Sequence, residues 1–325
     1  MHRRHLVKGA IAAATATALA TAHAQNSAGR FPTKPIRLVI AFPAGGPTDI
    51  TMRQLAENAS KILGQPVIVE NKPGAGGTLP AQMLQNTPAD GYVLAQIPLG
   101  VFRIGYTTKI AWDPVKDIRY VINVTGYAFG IVVPAASPVK NWADFVAYAN
   151  ANPGKINYGS TGTLTSPHLT TELIAQKLGI ELTHVPFKGS ADLMQAVVGG
   201  HVMAAADSTG FAQQVDAGKL RVLNTWGDHR LEKFPDAPTL KELGLDIVQN
   251  SPFGIGAPRD TPNDVVITLQ AAFKKAMDDP AYLQALNRYD MVPNYMDSAQ
   301  YTRFAQETFN REKALIEKLG LAKPG

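Results

Sequence analysis

The stretch Phe42-Pro43-Ala44-Gly45-Gly46-Pro47-Thr48-Asp49 separates two segments of different periodicity. Before it runs an apolar, strand-like segment, Ile36-Arg37-Leu38-Val39-Ile40-Ala41. After it, over residues 50–63, Ile50, Leu55, Ala59, Ile62 and Leu63 recur about one helical turn apart. The stretch therefore reads as the turn of a strand–turn–helix unit. Paired glycines let the backbone bend sharply and approach a ligand closely. Thr48 is a candidate helix cap, and Asp49 suits a first helical turn. The free N–H groups of such a helix start form an anion cradle. The loop carries no Lys, Arg or Cys. An anion there is held by backbone dipoles, which suits reversible capture better than catalysis. A plain strand-to-helix turn has the same composition, so the motif alone leaves both readings open.

The rest of the chain repeats this alternation, which argues an α/β fold. Residues 66–69 read as a second strand, and Lys72-Pro73-Gly74-Ala75-Gly76-Gly77-Thr78 as a second glycine-rich turn before a helix. Residues 92–97 read as a third strand, with Arg103 in the turn after it. Apolar extended segments at residues 120–133 and 253–257 bracket a middle α/β unit. Inside it, the strand Ile156-Asn157-Tyr158-Gly159 leads into Ser160-Thr161-Gly162-Thr163-Leu164-Thr165-Ser166-Pro167 and a helix. Helices are expected at residues 263–277, 281–288 and 298–319. The expected division is a first lobe of residues 25–126 and 253–325 and a second lobe of residues 127–252, joined by two crossing strands.

Residues 1–24 read as an export signal. Arg3, Arg4 and Lys8 precede an Ala/Thr-rich apolar run, and Ala22-His23-Ala24 offers small side chains for cleavage before Gln25. Arg3-Arg4 also resembles a twin-arginine signal. The segment holds three cations and no acid, so its removal takes the net charge from +5 to +2. That balance gives no electrostatic case for nucleic acid or an anionic membrane. The absence of cysteine excludes disulfides, thiol chemistry and thiolate metal sites. With 45% hydrophobic and 18% charged residues, the chain has the composition of a globular protein.

Several segments, in order, resemble the Bug-type periplasmic substrate-binding proteins of tripartite tricarboxylate transporters. They include Pro35-Ile36-Arg37-Leu38-Val39 with the turn at residues 42–49, Val69-Glu70-Asn71-Lys72-Pro73-Gly74-Ala75-Gly76-Gly77, and Pro88-Ala89-Asp90-Gly91-Tyr92. Further on come Asn157-Tyr158-Gly159-Ser160 with His168-Leu169, Val185-Pro186-Phe187-Lys188-Gly189, and Pro235-Asp236-Ala237-Pro238-Thr239. The resemblance implies a two-lobed periplasmic binding protein of Venus-flytrap, type II-like architecture. It implies a monomeric receptor that binds a small organic mono- or dicarboxylate, without cofactor, metal or catalytic residue, and hands it to the transporter's membrane subunits. It further implies that one ligand carboxylate lies between Pro43, Ala44, Gly45, Gly46, Thr48 and Asp49 of the first lobe and Ser160, Thr161, Gly162, Thr163 and Ser166 of the second. His168, Lys188, Gly189, Asp207, Phe102 and Arg103 complete the candidate ligand-binding set.

Other chemistries have weaker support. Ser160 or Ser166 with His168 and Asp207 has the residue types of a hydrolase triad, and the alternative reading is a periplasmic α/β hydrolase or isomerase acting on a small carboxylate. No Gly-x-Ser-x-Gly elbow accompanies them. His168, His184, His201 and His229 lack short ligand spacing. Gly74-Ala75-Gly76-Gly77 lacks the Lys-Ser/Thr ending of a phosphate loop, reads as a packing turn, and is left out of the ligand site. Asp207 either faces the cleft, where it orients a water or repels a second negative group, or caps the next helix with Ser208 and Thr209. Arg103 either pairs with a second carboxylate or is a solvated loop residue. Tyr127 and Phe102 either cover the ligand or belong to the core.

Overall fold

A computed structural model describes residues 31–323. The export signal expected at residues 1–24 lies outside the described residues. Two mixed sheets organise the chain. The first has the order β11-β4-β10-β3-β1-β2 and the second β7-β6-β8-β5-β9. In chain order the strands of the first are β1 (Ile36–Ile40), β2 (Val67–Asn71), β3 (Val93–Ile97), β4 (Ile118–Tyr127), β10 (Ser251–Pro258) and β11 (Pro293–Met296). Those of the second are β5 (Phe129–Pro134), β6 (Ile156–Ser160), β7 (Leu182–Pro186), β8 (Ala204–Ser208) and β9 (Leu220–Thr225).

The helices are α1 (Pro47–Leu63), α2 (Leu79–Leu84), α3 (Gly100–Thr107), α4 (Trp142–Ala151), α5 (Ser166–Leu178), α6 (Ser190–Val198), α7 (Ala212–Asp216), α8 (Asn263–Met277), α9 (Pro280–Asn287) and α10 (Ser298–Lys318). Among the described residues no helix is long and apolar enough to cross a membrane.

Parallel pairing of β1 with β2 and β3 needs crossover helices, and α1 and α2 provide them. The strands are nearly continuous apolar runs because both sheet faces are covered: Ile36, Leu38, Val39 and Ile40 are all fully buried. Two segments carry the chain between the sheets. β4 passes through Ala128 straight into β5, and β10 brings it back, antiparallel to β4 with Ser251 opposite Tyr127 and Ile255 opposite Ile122. The protein is thus a two-lobed α/β fold of the periplasmic-binding-protein type. The carboxyl ends of β1, β3, β6 and β8 lead into turns that meet between the lobes, the usual place for a ligand in such sheets.

Three details differ from the sequence reading. α1 begins at Pro47, with Gly46 as its N-cap, so Thr48 is not the cap. Proline is favoured at a first helical position, where its missing N–H is not needed. Arg103 lies in α3 and not in a turn: Leu99, Val101 and Phe102 are buried, and the helix packs on α10 through the stacked rings of Tyr106 and Phe309, 4.6 Å apart. The four-residue edge strand β11 was not anticipated, because Pro293 argues against a strand anywhere but an edge.

Candidate ligand-binding cleft

The first decisive turn follows β1. Gly45 takes φ +84°, a left-handed conformation that favours glycine, and its N–H donates to Asp49 Oδ2 at 3.0 Å. Asp49 also accepts from Arg53 Nε at 2.8 Å and Asn71 Nδ2 at 2.9 Å. Burial works against its charge, but these donors hold its carboxylate below the usual range. Asp49 is therefore a staple that fixes the turn, and it lies outside the lining of the cavity between the lobes. Ala44 and Gly45 sit exposed on the rim.

The cavity between the lobes has a volume of about 50 Å³. Four helix starts form its wall: Gly46, Pro47 and Thr48 of α1, Leu99 and Gly100 of α3, Thr165 and Ser166 of α5, and Ser190 and Ala191 of α6. None of these four helices has a side-chain cap. Away from the cavity, Asn141, Asp279 and Asp297 cap α4, α9 and α10 with their own side chains, and among the longer helices there only α8 lacks such a cap. Uncapped helix starts leave backbone donors free and carry the positive end of the helix dipole, although at α3 the Val101 and Phe102 N–H groups already donate to Pro98 O and Leu99 O, both at 3.0 Å. Two come from each lobe, so an anion in the cavity is gripped from both sides.

Side chains add hydroxyl donors. Thr48 Oγ1 lies 2.6 Å from the Tyr127 hydroxyl, which also accepts from Gln96 Nε2 at 2.9 Å. Gln96 is itself held by the Ala41 N–H, 2.9 Å from its Oε1. Burial pushes the Tyr127 phenol well up, so it stays protonated. One hydroxyl hydrogen of the Thr48–Tyr127 pair satisfies the bond between them, and the other remains to donate to a ligand. Phe42, Pro43, Pro98, Leu99 and Phe129 supply apolar wall. Asp207 also lines the cavity, almost fully buried, and accepts from Ser190 Oγ and the Ser208 N–H. Burial raises its carboxyl to about 7, against the pull of those donors.

The lobes touch across the cleft. Arg103 of α3, 1% exposed, donates to Glu312 Oε2 of α10 at 2.6 Å. Its other nitrogens donate to Leu164 O and Ser166 Oγ of the second lobe, both at 3.1 Å. Leu164, at φ +63°, is a strained non-glycine residue. It is fixed by that bond and by its own N–H, which donates to His168 Nδ1 at 3.1 Å. Thr209 donates to Tyr289 O, and the Lys233 N–H to Asp290 Oδ2 at 3.2 Å. Pro43 lies directly against Gly189.

Of the sequence-predicted residues, Pro43, Gly46, Thr48, Thr161, Ser166 and Asp207 come together around this cavity. Gly162, Thr163, Lys188 and Arg103 line an adjoining opening of about 510 Å³. The remainder act from behind. Ser160 bonds His184 Nε2 at 2.7 Å and Gly162 O at 3.1 Å, and so supports the second turn. His168 stacks on His184 with ring centroids 4.0 Å apart. Burial lowers both imidazoles to about 4, helped by Arg103 beside His168 and by His168 beside His184, so His168 is no cation for a ligand at neutral pH. Phe102 is core, stacked on Tyr120, because its helix turns it inward. Arg103 is consumed by Glu312 and the second turn, so it is neither a solvated residue nor free for a second carboxylate.

The sequence reading missed Ser190 and Gly76, both in the cavity wall. Gly189-Ser190-Ala191-Asp192 before an apolar run is a helix-start signature that pointed to Ser190. The sequence alone makes Gly76 part of a packing turn. It does pack, since a Cβ there would lie 2.9 Å from Thr163 O, and that close approach is what brings it to the cavity. No group of three or more His, Asp or Glu suited to a metal occurs among the described residues.

Two α/β lobes closed on a cavity walled by helix starts define a two-lobed solute-binding protein. The profile of the tripartite tricarboxylate transporter family receptor matches residues 51–321, and the chain belongs to that family. A UPF0065 protein encoded in the gbd 5' region of Cupriavidus necator is 59% identical over 325 residues, covering 99% of each chain. The periplasmic binding protein BugD superposes with TM-score 0.86 at 27% identity, over 90% of this chain and 100% of BugD. MatC from Rhodopseudomonas palustris with bound malate gives TM-score 0.82 at 28% identity, over 88% and 100%. Rpa4515 of R. palustris with adipate gives 0.85 at 27%, over 90% and 99%. The family is one of receptors and not of enzymes.

Proposed function

We propose that this protein is an exported, periplasmic receptor that captures a small organic carboxylate in the interlobe cavity and delivers it to the membrane subunits of a tripartite tricarboxylate transporter. The observation that carries the reading is the convergence of four uncapped helix starts, two from each lobe, on one cavity. Backbone dipoles and hydroxyls hold an anion there without a counter-charge, so binding stays reversible. The malate and adipate bound by two structural neighbours agree with a carboxylate as the ligand class. The ligand-binding set comprises Pro43, Gly46, Thr48, Thr161, Ser166, Ser190 and Tyr127, with residues 31–127 and 251–323 forming one lobe and residues 128–250 the other.

A thermal-shift screen of the chain lacking residues 1–24 against organic acids tests this. An acid at about 100 times its Kd stabilises the fold by about 2.7 kcal/mol, while its methyl ester, lacking the anion, gives little shift. Gly46→Val provides the site-specific arm. Gly46 has φ −86°, and an added Cβ would lie 3.8 Å from Ser190 Cβ. Valine therefore fits the backbone but fills the cavity, and the variant should fold and not bind. Equal shifts for acid and ester, or wild-type binding by the valine variant, would refute the mechanism.

A further inference from the structure

The Arg103 guanidinium divides its hydrogen bonds between the two lobes. Nε donates to Glu312 of its own lobe at 2.6 Å, and both side chains are almost fully buried. Nη1 and Nη2 donate to Leu164 O and Ser166 Oγ of the other lobe. The ion pair is thus internal to the first lobe and does not depend on the second. Glu312 supplies the counter-charge that lets a cation be buried in the closed cleft. The other nitrogens of the planar fork remain to meet the opposite lobe.

Of the polar contacts between the lobes described above, only the one to Ser166 ends on a residue of the cavity wall. Its direction also places a proton. Arginine has donors and no acceptor, so Ser166 Oγ accepts, and its single hydrogen is left for another partner. Among the described residues no acceptor takes that hydrogen. Ser166 is buried in the cavity wall, so an anion in the cavity is the partner it lacks. Accepting from a cation also polarises the hydroxyl and makes it a stronger donor. The same guanidinium holds Leu164 O, and with it the left-handed backbone that carries the second turn to Thr165 and Ser166.

We infer that Arg103 is a positioning residue that latches the lobes in response to ligand: it presents the Ser166 hydroxyl to the bound anion, and the anion in turn strengthens the grip of Arg103 on Ser166. The inference rests on the carboxylate-receptor reading. Such coupling is reciprocal, so whatever the latch contributes to ligand affinity, the ligand contributes to closure. The latch forms after the anion has entered, so its loss should appear in dissociation and not in association.

A double-mutant cycle tests this, with malate, adipate, succinate and butyrate as probes. Calorimetry gives Kd, and stopped-flow fluorescence gives the rates through Trp226, which packs on the cavity-lining Phe129 with ring centroids 5.5 Å apart. Arg103→Lys keeps a charge beside Glu312 but has no planar fork to span Leu164 O and Ser166 Oγ. For the tightest-binding probe, Arg103→Lys and Ser166→Ala should each raise Kd about tenfold, almost wholly through faster dissociation. Together they should raise it no more than about twentyfold, where independent effects would multiply to about a hundredfold. Multiplying effects, a loss confined to association, or wild-type Kd in folded Arg103→Lys overturns the inference and leaves Arg103 a structural ion pair. Should Arg103→Lys not fold, Arg103→Met with Glu312→Met, which buries no unpaired charge, takes its place in the cycle with the same expectations. Flat melting curves for the wild type, with all four probes and across the wider acid screen, are failure of the carboxylate reading itself, and the inference falls with it.

Discussion

Asp207 shows how a buried carboxyl in the interlobe cavity works against stability. In the folded chain its carboxyl is raised to about 7, against about 3.9 in an unfolded chain, so the folded state holds the proton more tightly. The associated stability is complete below the unfolded value and is lost as pH rises through about 7. Asparagine keeps the shape and cannot ionise. The melting temperature of unliganded Asp207→Asn should therefore exceed that of the wild type by a margin that grows from pH 5 to pH 8, reaching several degrees. Calorimetric melting at the two pH values checks this, and a margin independent of pH would mean that Asp207 does not ionise at a cost in the cleft. Residues of this kind were only half legible in the sequence. The sequence allows Asp207 either to face the cleft or to cap a helix, because both uses put an acid at the end of an apolar strand. Arg103 was misread because its partners, Glu312 and Leu164, lie 209 and 61 positions away.

Helices divide into those whose starts are closed by their own side chains and those whose starts are left for the ligand. α10 is of the first kind: Asp297 accepts from the Gln300 N–H at 2.7 Å, and Gln300 Oε1 accepts from the Asp297 N–H at 3.0 Å. Asp297→Ala should lower stability in urea unfolding by about 1 kcal/mol and leave ligand affinity unchanged. A matching loss of affinity would mean that caps outside the cleft tune the site. Helix ends and helix faces of both kinds were readable from local sequence. Gly64 and Gly179 as left-handed helix ends, and the periodic faces of α8 and α10, each follow from backbone chemistry within one turn of the residue concerned. α3 and β11 were not readable, since Gly100, Gly105 and Pro293 weaken local propensity and only packing on α10 and β4 overrides it.

At the scale of the molecule, the two lobes meet over the cavity, and ligand exchange is expected to require them to part. The division into lobes was legible because the apolar extended segments around residues 120–133 and 253–257 interrupt a strand–helix alternation. The closeness of the lobes was not, because it depends on contacts such as Pro43 against Gly189 that no local pattern announces. A Cβ built on Gly189 lies 3.8 Å from Pro43 Cβ, which is close to the usual disulfide separation of about 3.8 Å. Gly189 has φ −177°, which any residue adopts. The double variant Pro43→Cys, Gly189→Cys should therefore form a reducible cross-link between the lobes. Oxidised before ligand is added, it should bind at least tenfold more slowly than the wild type. Oxidised with ligand present, it should retain that ligand through gel filtration, and dithiothreitol should reverse both effects. Normal exchange by the fully oxidised protein would show that the cavity fills and empties without separation of the lobes.

The chain contains no cysteine, and Ala44 projects from the rim turn one residue beyond Pro43. A cysteine introduced there would be the only thiol in the protein, so a single environment-sensitive dye could be attached at full occupancy without removing any native residue chemistry. Each closure would carry that dye from bulk water to the edge of the opposite lobe and change its emission. The feature that makes the chain dispense with covalent bracing thus also makes it a ready chassis for an optical sensor of whatever acid it carries.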